Sequence, residues 1–454
     1  MAHVARPLSN SENAYLRNLV VVEMLITDLL PLNRRARRHR RKQIQQIARS
    51  IETFGFLNPV LIDGDNYVIA GFGRVLAAEM LGMLCVPTIL ISGMTEAQLH
   101  AYAIADNKLA ENAEWDNEIL AIEFQYIHEL DIDLDLTITG FETPEIDLII
   151  GEAALEDPEP PIPPLIGEAA TSRIGDLWVL NEHRLFCGDA RQRRSYQALL
   201  AGQLAEMIIT DPPYNQRIAS LVGKGATQHR EFPMASGEMS KGLFCEFLND
   251  VMELCIAFSA DGSLHFLFMD WRGIGVLLAG GERIYTELKN VCVWDKGRGG
   301  MGSLYRSQHE LVAIFKNGKA SHINNMQLGK YGRNRTNVWH YSPAKLGGEA
   351  DLRLHPTAKP VSMVADAILD CSNRRCVILD PFGGSGTTLL AAERTGRCGY
   401  LIELDPLYVD LIVRRWQQMI GGTAVHEETG LSFDHMTTQR MSEAQSQEVC
   451  HGGR

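Results

Sequence analysis

Two short stretches carry the residues best suited to chemistry. Asp211-Pro212-Pro213-Tyr214 follows the apolar run Met207-Ile208-Ile209. A carboxylate, two prolines and a phenol ring after a buried strand make a stiff, acceptor-rich loop, because each proline ring fixes its own backbone angle. Asp211 can accept one N–H of an amine, and the Pro212 carbonyl can accept the other. Two acceptors on one amine orient its lone pair, and Tyr214 offers a flat face to a planar ring. The second stretch is VILDPFGGSGTT, residues 377–388. Val377-Ile378-Leu379 reads as a short buried strand, Asp380-Pro381 ends it, Gly383, Gly384 and Gly386 follow, and a helical pattern starts at Thr387. Strand, glycine loop and helix open a nucleotide-binding βαβ unit: glycines let the backbone approach a ligand, and the helix start presents free N–H groups. A further strand, CGYLIEL, sets Glu403 about 20 residues past the loop, where an acidic side chain can bind ribose hydroxyls.

DPPY together with DPFGGSGTT resembles the amino-directed DNA methyltransferases, which modify exocyclic nitrogens of adenine or cytosine. The resemblance implies S-adenosylmethionine as cofactor, held by Asp380, Phe382, Gly384, Gly386, Thr387 and Glu403. It implies Asp211, Pro212, Pro213 and Tyr214 as the catalytic loop. HPTAKP (355–360) resembles the segment that leads a helix into the cofactor pocket and adds Lys359. Asp189, at the end of the strand HRLFCGD, is implied to touch the cofactor's adenine or ribose; it suits equally the cap of the helix that follows. Tyr305-Arg306 and His309-Glu310 resemble a segment kept near the target base. DPPY precedes the glycine loop, which in that family marks the permuted order of catalytic motifs, recognition region and cofactor loop. Asp at the first position favours N6 of adenine, with N4 of cytosine as the alternative. The chain has no Pro-Cys dipeptide, which excludes the covalent attack on cytosine carbon. No metal is required by this chemistry.

The elements that must position these residues follow from the pattern of the chain. Its 454 residues exceed one core, so two or three domains are expected. At 45% hydrophobic and 22% charged residues the composition is that of a globular protein. MAHVARPLSN lacks the apolar core of a signal peptide, and no run of about 18 apolar residues could span a membrane. The nine cysteines form no CxxC pair and read as reduced thiols, so a cytoplasmic location is expected. Residues 1–20 read as a mobile arm and 21–150 as a small α/β domain. Residues 151–170, Pro-rich and acidic, read as a linker; 171–420 hold the methyltransferase sheet, and 421–454 read as a disordered polar tail. The expected fold is therefore α/β: a Rossmann-like, doubly wound methyltransferase sheet preceded by a small α/β domain.

SIETFGFLNPVLID, IAGFGRVLAAEMLG and ADNKLAENAEWD in that order resemble the ParB/sulfiredoxin-like N-terminal domain. In that family a glycine-and-arginine box at a helix start contacts nucleotide phosphates. Here the box is Gly71-Phe72-Gly73-Arg74, less charged than that of the partition proteins. The resemblance implies a phosphate or a CTP-like nucleotide at Gly71, Gly73 and Arg74; a DNA-contacting or purely structural module is the other reading. A ParB-like, nucleotide-gated DNA-binding protein with a secondary methylase domain is accordingly the rival function.

The net charge of −13 is unusual for a partner of double-stranded DNA, so the distribution of charge matters more than the sum. Residues 316–348 contain no Asp or Glu and carry Lys316, Lys319, Lys330, Arg333, Arg335 and Lys345. With Arg306, the first five of these are the expected DNA contacts. RRARRHRRK (34–42) is a second basic cluster. The polar stretch 215–241, with Lys224, His229 and Arg230, is expected to close over DNA or the flipped base. The sequence leaves the oligomeric state open, a dimer included.

Overall fold

The computed structural model describes residues 19–32, 37–130, 134–154, 170–216, 235, 237–297, 299, 304–330, 333–343 and 358–451. Two compact units divide the chain, Met1–Glu142 and Thr143–Arg454. Among the described residues no helix is long and apolar enough to cross a membrane.

The first unit runs β1 (Val21–Leu25), β2 (Leu30–Pro31), α1 (Arg41–Phe54), β3 (Val60–Ile62), β4 (Tyr67–Ala70), α2 (Phe72–Met80), β5 (Cys85–Leu90), α3 (Glu96–Glu111) and α4 (Asn117–Leu130). Its five strands lie in the order β1-β5-β3-β4-β2. The Gly-Asp-Asn turn between β3 and β4 is held by Asp63, whose carboxylate accepts the N–H groups of Asp65 and Tyr67 at 3.0 and 2.8 Å. Val60, Ile62, Val68, Val75 and Val86 close the core beneath α2.

In the second unit the elements are α5 (Thr143–Ala154), β6 (Leu177–Leu180), β7 (His183–Cys187), α6 (Arg193–Leu200), β8 (Ala205–Thr210), α7 (Lys241–Ala257), β9 (Ser259–Met269), α8 (Ile274–Ile284), β10 (Glu287–Asp295), β11 (His309–Lys316), β12 (Val338–His340), α9 (Val361–Cys371), β13 (Val377–Asp380), α10 (Thr387–Thr395), β14 (Cys398–Glu403), α11 (Pro406–Ile420), β15 (Val425–His426) and α12 (Phe433–His451). They build one ten-stranded sheet, β12-β10-β11-β9-β8-β13-β14-β7-β6-β15. The middle five, β9-β8-β13-β14-β7, are mutually parallel. Strands buried on both faces read as continuous apolar runs, which is why MII and VIL stood out. Met207, Ile209, Ile378 and Leu401 pack on one face against Val364, Ile368, Leu389 and Ile412 of the helices. Ile208, Leu379 and Ile402 pack on the other against Tyr196, Leu199 and Val251. This is the Rossmann-like, doubly wound arrangement.

Three expectations about boundaries need correction. The first unit ends at Glu142, not 150, and α5 belongs to the second. Asp147 of α5 is 5% exposed and holds Arg397, itself 2% exposed, through two N–H···O bonds of 2.9 and 2.7 Å. Arg374 adds a third contact at 3.2 Å. Buried charges at such contacts must be paired, so α5 is fixed to the sheet unit by its carboxylate. The expected linker therefore starts no earlier than 155; residues 155–169 lie outside the described ones. The expected disordered tail is also overturned in its first part. β15 pairs with β6, Phe433 packs edge-on against Trp178 with ring centroids 5.1 Å apart, and Arg440 pairs with Asp176. Phe433 and Met436, spaced three apart, anchor a helix whose other residues are mostly polar. The expected arm, residues 1–20, falls almost wholly outside the described residues.

Candidate active site

In a parallel sheet every strand delivers its last residue to the same edge. β7 delivers Asp189, β8 delivers Asp211, β9 delivers Asp270, β13 ends on Asp380 and β14 on Glu403. β10 runs parallel to β9 and ends beside Lys296, whereas the antiparallel β11 begins there with Glu310. One cavity at this edge is lined by Asp189, the Asp211–Tyr214 loop, Lys359, the 380–388 loop and Glu403. The two motifs, 166 residues apart in sequence at their closest named members, thus face one space.

Backbone hydrogen bonds set the glycine loop. Gly383 donates to the Ile402 carbonyl and Gly386 to the Gly383 carbonyl, both at 2.8 Å. Gly386 has φ +83°, and a Cβ there would stand 3.0 Å from Ile412 Cγ2. Glycine is required at this position both for the left-handed angle and for the close approach of α11. Glu403 accepts the Gly384 N–H on one oxygen and the Asp405 N–H on the other, each at 2.8 Å. Burial lifts its carboxyl to about 7 in spite of those bonds. Asp380 is 4% exposed and is filled by Thr210, Thr388 and the Phe382 N–H. Burial pushes it too to about 7, although the hydroxyls of Thr388 and Thr210 favour its charge. Asp380 therefore ties the end of β8 to the glycine loop. Phe382 packs against Phe247 behind the loop.

The other half of the cavity is a charged cluster. Tyr214 donates its hydroxyl to Asp211 Oδ1 at 2.5 Å and lies 3.2 Å from Glu310 Oε2. Lys359 reaches Asp211 Oδ2 at 2.5 Å and Glu310 Oε2 at 3.1 Å. Lys296 meets the other Glu310 oxygen at 2.5 Å. Lys359 is 6% exposed at its side chain, whereas Asp211 keeps 27%, so the carboxylate remains reachable from the cavity. Burial holds the Asp211 carboxyl above its usual range, against the pull of Lys359. For Glu310 burial is outweighed by the Lys359 and Lys296 ammoniums, which push it down to about 2.

The structure locates the remaining expected site residues as follows. Lys359 stands at the Asp211 end of the cavity, its ammonium on two carboxylates. Asp189 lines the cavity but also accepts the Arg191 N–H at 2.9 Å and pairs with the Arg191 guanidinium. The expected DNA contacts separate. Arg333 and Arg335 are largely buried and paired with Asp366 and Asp370 at 2.7–3.1 Å. A segment without acids in sequence lies against the acids of α9 in space, so these two guanidiniums are not free for phosphate. Lys316 and Lys319 are also displaced from the site. Lys316, the last residue of β11, lies opposite Leu264 of β9, and six residues of strand, roughly 20 Å, separate it from Glu310. Arg306 and Lys330 are exposed. Arg34, Lys224, His229, Arg230, Lys345 and 355–357 lie outside the described residues.

In the first unit Gly71 caps α2 at φ +94°. Arg74 folds back over it, donating to the Pro59 carbonyl at 3.2 Å. A Cβ on Gly71 would stand 2.5 Å from the Arg74 guanidinium, and one on Gly73 3.0 Å from the His39 ring. The box is thus packed within its own unit. Lys296 escaped sequence reasoning altogether. Its one signal is its place directly after a strand that ends on Trp294-Asp295, at the edge where all other site strands end.

Residues 205–414 match the family model described as DNA methylase, N6/N4 type. Residues 10–107 match the ParB N-terminal domain and 118–173 the ParB-methyltransferase HTH domain. The chain is 48% identical over 80 residues to the ParB-like nuclease domain-containing protein YnaK of Escherichia coli (strain K12), covering 18% of this chain and 92% of that protein. It is 24% identical over 259 residues to the type II methyltransferase M.HpaI of Haemophilus parainfluenzae, covering 53% of this chain and 76% of that one. Among solved structures, the M1.HpyAVI–SAM complex aligns at 19% identity and a TM-score of 0.37, covering 51% of this chain and 98% of that one. The cytosine-N4-specific PvuII DNA methyltransferase aligns at 15% and 0.41, covering 57% and 92%. With the glycine loop and the DPPY loop on one cavity within the matched residues, residues 205–414 form an N6/N4-type DNA methylase domain, and a ParB-like domain precedes it in the chain.

Proposed function

We propose that the protein transfers a methyl group from S-adenosylmethionine to the exocyclic N6 of adenine in double-stranded DNA. The observation that carries this reading is the single cavity shared by Asp211-Pro212-Pro213-Tyr214 and the 383–386 glycine loop. The cofactor's sulfonium is already a reactive donor, so positioning of the amine carries most of the rate. An exocyclic amine is a weak nucleophile because its lone pair is delocalised into the ring. Asp211 accepts one of its N–H groups and the Pro212 carbonyl the other, which frees the lone pair toward the methyl group. Tyr214 supports the face of a base swung out of the duplex. Glu403, Gly384 and the start of α10 would hold the ribose and the amino-acid end of the cofactor; Thr387 and Phe382 line the same side. Arg306 and Lys330 are the exposed candidates for phosphate. The ParB-like unit would add DNA affinity, or hold a nucleotide at Gly71, Gly73 and Arg74.

The test offers duplex DNA, RNA and a glutamine-containing protein together to the chain with methyl-labelled cofactor. Label confined to DNA supports the reading. Label in RNA or protein, or cofactor bound with no transfer, overturns it.

The Glu403 carboxyl gives a pH prediction. A carboxylate that accepts ribose hydroxyls binds in its charged form, so affinity is present above about 7 and is lost as pH falls through that value. Each unit below should weaken cofactor binding by about tenfold. Asp380 titrates in the same range, but its oxygens are already filled. In Glu403→Gln, calorimetry should therefore show weaker binding that no longer varies between pH 6 and 8.

A further inference from the structure

Asp211, Glu310, Lys359 and Lys296 form a balanced set of two anions and two cations. They come from four separate segments: the loop after β8, the start of β11, the residue pair before α9, and the end of β10. Lys359 is the hub. Its ammonium lies between Asp211 and Glu310, within 5.3 to 5.8 Å of the ring centres of Phe268, Tyr214 and Trp294. Three aromatic faces and two carboxylates leave it one place to sit. Its backbone carbonyl accepts the Thr387 hydroxyl at 3.3 Å, at the first turn of α10 behind the glycine loop. One residue thus joins the cofactor loop, through its backbone, to the amine acceptor, through its side chain.

Asp211 must be charged and must point into the cavity if it is to take an N–H from the target amine. Alone and buried it would do neither reliably. Glu310 is flanked by two ammoniums and stays charged; Asp211 has one ammonium and the Tyr214 hydroxyl. Each carboxylate oxygen still has a lone pair to spare for the incoming amine.

We propose that Lys359, seated by Glu310 and Lys296, is a positioning residue that fixes the orientation and charge of Asp211, and that the three act on the target amine only through it. This inference rests on the methyl-transfer reading above. The groups facing Asp211 are Lys359, Glu310, Tyr214 and, from the adjacent strand, Asp380; Lys296 reaches it only through Glu310.

The test is the pH dependence of single-turnover methylation of duplex DNA at saturating cofactor. The charged form of Asp211 is the active one, so the rate falls on the acid side. Lys359→Met removes a favourable charge and should move that limb to higher pH by about one unit. Glu310→Gln removes a like charge and should move it to lower pH, with the maximal rate reduced. Lys359→Arg should return the limb toward its wild-type position. Cofactor affinity should stay within about twofold of wild type in all three, which also reports that they fold. Limbs that stay in place while rates fall would mean packing alone and overturn the inference, as would a limb moving the same way in both neutral variants. A large loss of cofactor affinity in Lys359→Met alone would assign Lys359 to the cofactor and overturn it too. A wild-type chain that methylates no DNA would instead sink the functional reading, and this inference with it.

Discussion

Asp211→Ala is expected to lower the single-turnover rate of methyl transfer by about a thousandfold or more, with cofactor affinity within about twofold of wild type. The expectation follows from where Asp211 stands. Its oxygens face Tyr214 and Lys359, not the 383–386 loop, and no hydrogen bond ties it to Glu403 or Gly384 among those that set the cofactor end. Removing it strips the amine of its charged acceptor and leaves Lys359 paired with Glu310 alone. Asp211→Asn keeps an acceptor oxygen in place but loses the charge, and should fall between wild type and alanine. Cofactor titration followed by a rapid-quench time course separates the two steps. A turnover in Asp211→Ala close to wild type would remove Asp211 from the chemistry.

The second large effect is on stability. Asp147→Ala should destabilise the methylase unit by about 3–5 kcal/mol, the usual cost of breaking a buried ion pair and leaving its partner uncompensated. Arg397 is almost wholly buried and has Asp147 as its carboxylate; Arg374 shares it. For a unit of this size each kcal/mol shifts the midpoint by about 2–4 °C, so a loss of about 10 °C is expected in a thermal melt. The same contact decides where the chain can be cut. A chain starting at Thr143 should keep the melting behaviour of the methylase unit, whereas one starting at 155 should lose it in the way Asp147→Ala does. Equal stability of the two truncations would show that α5 is dispensable.

The sequence made some of this legible and hid the rest for definite reasons. Parallel strands buried on both faces leave apolar runs, and loops at their ends carry Pro and Gly, so the Asp211 and Gly383–Gly386 loops could be read directly. Pairing across the sheet could not be. Lys359 lies 148 positions from Asp211, and nothing in HPTAKP says that its ammonium turns toward DPPY and not toward the cofactor loop. Asp147 is 250 positions from Arg397, so the stretch TPEIDLIIGEAA is divided in sequence between the end of the small α/β domain and the start of the linker. The basic stretch 316–348 misled for the same reason. Its arginines are answered by Asp366 and Asp370, and its first lysines lie at the other end of β11. At the carboxyl end, two apolar anchors in a polar segment were enough to order a helix, because Trp178 and Asp176 were already there to receive Phe433 and Arg440. Composition averages such anchors away.

The activity proposed for this chain is methylation of an exocyclic amine, adenine N6, in DNA. It is tested most directly by incubating the protein with methyl-labelled S-adenosylmethionine and unmethylated plasmid, digesting the DNA to nucleosides and identifying the labelled one. Label is expected in N6-methyladenine. Label in N4-methylcytosine would keep the site and its chemistry but contradict the choice of base; label in 5-methylcytosine, or a DNA that takes up none, would contradict amine methylation by this site.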